Sequence, residues 1–209
     1  SNVGVISRPP FFRSNTTLPS SSSSSGMREG GGRIGIVGAG AWGSALSWVA
    51  CRAGSDVVLW ARRSEIADTI KLRRTNSNYL PGIALDASVQ ATSDLKEVSD
   101  CDAMLLVVPA QVTREIGARL AEVLRPDTPV AICSKGIEQK SGALMSEVAA
   151  DVLPGRPIAM LSGPTFAIEV ARGLPTAVTI ACGDSPTAQL FCAALGSQNF
   201  RPYRSDDVI

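Results

Sequence analysis

The run Arg33-Ile34-Gly35-Ile36-Val37 leads without a break into Gly38-Ala39-Gly40-Ala41-Trp42-Gly43, and the small-residue stretch Ser44-Ala45-Leu46 follows. A β-type segment, a Gly-x-Gly-x-x-Gly turn and a helix in immediate succession leave few folds open. They read as the start of a βαβ unit whose turn receives a dinucleotide. Gly38 permits the tight turn out of the strand. Gly40 removes a side chain where the backbone must approach a pyrophosphate, and Gly43 lets the helix pack closely on the strand. The helix N-terminus then offers free N–H groups and about half a positive charge to the phosphates. A glycine turn that merely joins strand to helix does not explain the fingerprint spacing.

The rest of the chain alternates in the same manner. Strand-like runs are Ile34–Gly38, Asp56–Trp60, Ala103–Val108, Val130–Cys133, Ile158–Leu161 and Ala177–Ala181. Helix-like runs lie between and after them, at Ala41–Ala53, Ser64–Arg73, Val112–Leu124, Leu144–Val152, Thr165–Ala171 and Ser185–Leu195. Such alternation predicts an α/β fold, a doubly wound parallel sheet covered on both faces. Met104-Leu105-Leu106-Val107-Val108 is apolar throughout, as a central strand buried on both sides must be.

Residues 1–32 stand apart. Ser20–Ser25 is a serine run, Pro9, Pro10 and Pro19 precede it, and the first acid is Glu29. A disordered Ser/Pro-rich tail is expected there; a cleaved organelle transit peptide is the less favoured reading. Residues 33–209 form the dinucleotide-binding domain. The chain begins at Ser1 rather than Met and stops at Ile209 without an obvious terminal signal, so a fragment is expected.

Composition removes several function classes. A net charge of +1 argues against nucleic acid as a partner. No apolar stretch reaches the length of a membrane span. The chain has no histidine, which excludes a histidine base and most zinc sites; no metal site is expected, and acid–base work falls to Lys, Asp, Glu or Tyr. Cys51, Cys101, Cys133, Cys182 and Cys192 are scattered and form no C-x-x-C pair, as reduced thiols of a cytoplasmic protein would be.

In a doubly wound sheet the ligand lies at the carboxyl ends of the strands. Arg62 and Arg63 follow the second strand, where an NAD-preferring site places an acid. Two arginines there suit a 2′-phosphate, so NADP is the expected preference over NAD. Val108-Pro109 ends the next long strand as a turn. Lys135, in Ser134-Lys135-Gly136, is placed to bind a phosphate or polarise a carbonyl oxygen, with a surface loop lysine as the alternative. In Ser162-Gly163-Pro164-Thr165, Ser162 or Thr165 is expected to cap the following helix and form an anion site.

Taken in order, these pieces resemble the bacterial-type NAD(P)-dependent glycerol-3-phosphate dehydrogenases over Arg33 to Ile209. The resemblance is carried by the glycine fingerprint and by Asn76-Ser77-Asn78-Tyr79-Leu80-Pro81-Gly82, Val107-Val108-Pro109, Ser134-Lys135-Gly136-Ile137-Glu138, Ser162-Gly163-Pro164-Thr165-Phe166-Ala167-Ile168-Glu169 and Leu174-Pro175-Thr176-Ala177. It implies reduction of dihydroxyacetone phosphate to sn-glycerol 3-phosphate with NAD(P)H, feeding glycerophospholipid synthesis. It further implies dinucleotide contacts from Gly38, Gly40, Ala41, Trp42, Gly43, Arg62, Arg63, Lys135 and Ala167. Substrate contacts fall to Lys135, Gly163 and Thr165, with Lys135 between the two ligands. A proton-transfer lysine and an all-helical carboxy-terminal domain are expected beyond Ile209, and a homodimer is compatible with the family. The alternatives are another Rossmann dehydrogenase with a helical second domain and a non-catalytic NADP-binding sensor module.

Overall fold

A computed structural model of the protein describes residues 32–207. The elements run β1 (Arg33–Val37), α1 (Ala41–Arg52), β2 (Asp56–Trp60), α2 (Ser64–Arg73), β3 (Thr75–Asn76), β4 (Leu80–Ala84), β5 (Gln90–Thr92) and β6 (Ala103–Leu106). They continue with α3 (Thr113–Val123), β7 (Val130–Ile132), α4 (Met145–Val152), β8 (Ile158–Ser162), α5 (Ala167–Ala171), β9 (Thr176–Ala181), α6 (Ser185–Leu195) and β10 (Phe200–Ser205). The expectation for the amino-terminal tail falls, but for Gly32, outside the described residues.

The main sheet has the order β10-β9-β8-β7-β6-β1-β2-β5. From β1 the chain winds one way through β2 to β5, then crosses to β6 and winds the other way. The reversal between β1 and β6 opens a crevice at their carboxyl ends. Period-two alternation feeds two cores. Ile34, Ile36, Leu59, Leu105 and Ala131 face α1, α2, α5 and α6. Val37, Val58, Met104, Leu106 and Ile132 face α3 and α4. β6 is buried at every position, as a strand with helices above and below requires. Truncating the fully buried Leu105 to Ala would cost about 2–5 kcal/mol. That is a large part of a domain stability of about 5–15 kcal/mol.

Three expectations need correction. The sheet is not wholly parallel, because β8 and β9 pair antiparallel. Their link carries only the five-residue α5. At about 1.5 Å per residue such a helix cannot return the chain along the length of a strand, so the next strand re-enters from the near end. The eleven-residue α6 does span that length, and β9 and β10 are parallel. Second, neither Ser162 nor Thr165 caps α5. Ser162 ends β8, the helix starts at Ala167, and its N-cap is Phe166 without a side-chain bond. A single turn starting there is too short to make the expected anion site after Pro164. Third, the strand expected to reach Val108 ends at Leu106, although the Val107 N–H still donates to the Val37 carbonyl at 2.8 Å.

Candidate functional site

The glycine turn is built by three separate constraints. Gly38 has φ +123°, and a Cβ there would strike the Val107 carbonyl. A Cβ at Gly43 would collide with the Gly38 carbonyl oxygen. Gly40, the N-cap of α1, has φ −79°, and a Cβ there would meet nothing within 4 Å. Two glycines are thus needed to close the turn, while the third leaves open space in front of the helix. The start of α1 has no side-chain cap and no acid in its first turn, so its N–H groups stay directed at that space. A pyrophosphate fits this cradle.

A buried amide holds the turn from behind. Asn76, 3% exposed, donates through Nδ2 to the Ala39 carbonyl at 2.9 Å and to Ser44 Oγ at 2.8 Å. The β3–β4 hairpin brings Asn76 to this point, and Tyr79 in its turn lines the crevice.

From the turn, a cleft of about 320 Å³ runs toward Arg62, Arg63 and Tyr79, with Val107, Val108, Val112 and Ile116 as its apolar wall. Arg62 and Arg63 are exposed at its rim, and Arg63 Nη2 donates to the Tyr79 hydroxyl at 3.1 Å. Both lie just past the carboxyl end of β2. Tyr79 belongs to the segment Asn76–Gly82, whose local pattern gives it no role. An exposed aromatic in a polar turn gives no periodic signal, and only the pairing of β3 with β4 brings it to Arg63.

On the other side of the turn lies a second cleft, about 290 Å³. Its lining brings together Ala41, Trp42, Lys135, Gly163, Thr165 and Ala167, with Cys133 and Phe166. These come from the start of α1, the end of β7, the end of β8 and the start of α5. Lys135 reaches across the cleft and donates through Nζ to the Gly163 carbonyl. Gly163 has a structural reason of its own, since a Cβ there would lie 3.0 Å from the Ala177 carbonyl oxygen of β9. Burial pushes the Cys133 thiol far above its ordinary range, so it presents a neutral thiol and not a nucleophilic thiolate. Among the described residues, no three His, Cys, Asp or Glu side chains converge on a point that could hold a metal. Nor is any described helix long and apolar enough to cross a membrane.

A doubly wound sheet, an open glycine cradle at its switch point and clefts leading from it to an arginine pair and to a lysine define a dinucleotide-binding domain. Known proteins supply the family: the model described as NAD-dependent glycerol-3-phosphate dehydrogenase N-terminus matches residues 33–188, and the chain belongs to that family. It is 53% identical over 177 residues to a glycerol-3-phosphate dehydrogenase (NAD(P)+) of Paramagnetospirillum magneticum, covering 85% of this chain and 64% of that one. A counterpart in Parvibaculum lavamentivorans is 50% identical, with 85% and 53% covered. The crystal structure of glycerol-3-phosphate dehydrogenase from Coxiella burnetii superposes with a TM-score of 0.80 at 36% identity, covering 84% of this chain and 54% of that one. The chain therefore spans between half and two thirds of the length of these relatives.

Proposed function

We propose that this chain forms the cofactor-binding part, and one wall of the substrate site, of an oxidoreductase. The reaction is reduction of dihydroxyacetone phosphate to sn-glycerol 3-phosphate with NADPH or NADH, in the cytoplasm. The observation that carries this reading is the second cleft. Its lining brings Lys135 together with Ala41 and Trp42 at the start of α1 and with Gly163, Thr165 and Ala167. A nicotinamide bound here would supply the hydride that reduces the ketone.

The chain's own residues orient and charge the site. Gly40 and the first N–H groups of α1 take the pyrophosphate. Arg62 and Arg63 take the adenosine end and favour a 2′-phosphate, hence NADP over NAD. Ala41, Trp42 and Ala167 flank the nicotinamide. The Lys135 cation leaves the Gly163 carbonyl to bind the substrate oxygen, where negative charge grows as the carbonyl is reduced. Thr165 and Gly163 complete the substrate contact. The buried Cys133 takes no part in proton transfer.

The test is dihydroxyacetone phosphate-dependent oxidation of NADPH by the full-length protein, with NADH in parallel. Turnover is expected, faster with NADPH at low cofactor concentration, and Lys135→Ala should lower it by about a hundredfold or more. A folded protein that binds NADPH but turns over neither cofactor would sink the reading.

A further inference from the structure

The segment that carries Lys135 is not a free loop. It leaves β7, turns at Gly136 with φ +106°, and closes on itself through the Glu138 N–H donating to the Ala143 carbonyl at 2.8 Å. The short turn that leads into α3, and the first residues of α3 itself, grip it. The Gln111 amide bridges its backbone, donating through Nε2 to the Ile137 carbonyl and accepting at Oε1 from the Gln139 N–H, both at 2.9 Å. Thr113 Oγ1 lies 3.0 Å from Ser134 Oγ. The strongest link is Glu138, a carboxylate only 6% exposed on a surface loop. It accepts from Arg114 Nε at 2.9 and 3.1 Å and from the Ser141 hydroxyl. Arg114 in turn holds Asp151 on α4 at 3.2 Å. These bonds keep the Glu138 carboxyl below its ordinary range, Arg114 first and Ser141 next.

The same entry into α3 supplies Val112, its N-cap, and Ile116 to the wall of the dinucleotide cleft. One rigid piece thus touches the cofactor on one side and holds the Lys135 segment on the other. The geometry points to Glu138, clamped by Arg114, as a positioning residue that sets the Lys135 ammonium in register with the bound dinucleotide, with Gln111 as its accessory. This assignment rests on the role of Lys135 proposed above. Glu138 touches neither ligand and acts through the loop backbone. A loop bearing a lysine for stability alone needs no buried carboxylate or backbone bridge beside it. A lysine that must meet a ketone oxygen does, because misplacement by about 1 Å costs up to a hundredfold in rate.

The test uses the full-length protein and counts active sites by NADPH titration, read as energy transfer from tryptophan to the nicotinamide. Glu138→Gln keeps the shape and removes the charge. It is expected to lower kcat/KM for dihydroxyacetone phosphate, per NADPH-binding site, about ten- to a hundredfold. The NADPH Kd should stay within about twofold. Gln111→Ala alters an exposed side chain and should give a smaller loss of the same kind; it serves where Glu138→Gln folds poorly. The double variant should lose less than the product of the two single losses, because both act on one loop. A merely structural role predicts fewer NADPH-binding sites with an unchanged kcat/KM for each, and that result would overturn the assignment. A wild-type protein without turnover would instead overturn the enzyme reading, and this assignment with it.

Discussion

Gly40→Ala separates folding from binding more cleanly than any other change in the glycine turn. The backbone at Gly40, φ −79° and ψ −170°, is open to any residue, and a Cβ there meets nothing within 4 Å. Alanine would restrict the unfolded chain, a gain of about 0.4–1 kcal/mol. It is a poorer N-cap than glycine, a loss of about 0.5–1 kcal/mol. These offset each other, so the melting temperature should move by no more than a few degrees. Binding should respond quite differently. The added methyl fills the space through which a pyrophosphate reaches the N–H groups of α1. Each charge-assisted bond lost is worth about 1.5–3 kcal/mol, roughly ten- to a hundredfold in Kd. Circular dichroism melting and NADPH titration by energy transfer from Trp42 and Trp60 would report both quantities on one sample. Gly43→Ala is the contrast, since its Cβ collides with the Gly38 carbonyl and should cost the fold itself. A Gly40→Ala protein that melts like wild type and binds NADPH within twofold of it would refute the cradle.

Replacing Arg62 and Arg63 together by Ala should weaken NADPH about ten- to a hundredfold and NADH only a few-fold, because both side chains are exposed and only the 2′-phosphate demands them; equal losses in parallel titrations would remove them from the 2′ end. Asn76→Ala should cost about 2–3 kcal/mol, since it leaves the buried Ala39 carbonyl and Ser44 hydroxyl without their donor. Denaturant unfolding measures that loss, and a change under 0.5 kcal/mol would show that water replaces the amide. Burial raises the Cys101 thiol to about 11 and Cys133 further. Their raised values hold them neutral through pH 8, so an aromatic disulfide reagent should modify them only as the protein unfolds. Modification of either in the native protein within minutes would contradict the packing around β6 and β7.

Much of this architecture was legible because a parallel strand buried on both faces must be apolar throughout. Ala103–Leu106 and Val57–Trp60 carried strong signals of that kind, and α2 and α3 showed one buried apolar face each. The sheet edges did not. β5 is only Gln90–Thr92, and β10 carries Pro202 between two arginines. An edge strand pairs on one side only, tolerates proline and charge, and so lacks an apolar signature. The antiparallel turn of β8 into β9 was hidden because it depends on the length of α5, and Thr165 and Phe166 read as helical although the helix begins only at Ala167. At the site, Arg62, Arg63 and Lys135 stood out because each follows a strand end, whereas Ala41, Trp42, Gly163 and Ala167 entered only through the family resemblance. Asn76, Tyr79 and the Gln111–Arg114–Glu138 clamp were not legible. Their roles arise from contacts across 16 to 37 positions of the chain, which no local pattern encodes.

The most direct measurement is a crystal structure of the full-length protein with NADP+ and dihydroxyacetone phosphate bound. The 2′-phosphate should lie at Arg62 and Arg63, the pyrophosphate against Gly40 and the start of α1, and the nicotinamide beside Ala41 and Trp42. Lys135 Nζ should be turned from the Gly163 carbonyl onto the ketone oxygen, within about 3 Å. A dinucleotide bound in the opposite sense, or a substrate held away from Lys135, would contradict the proposed roles of the arginine pair and the lysine.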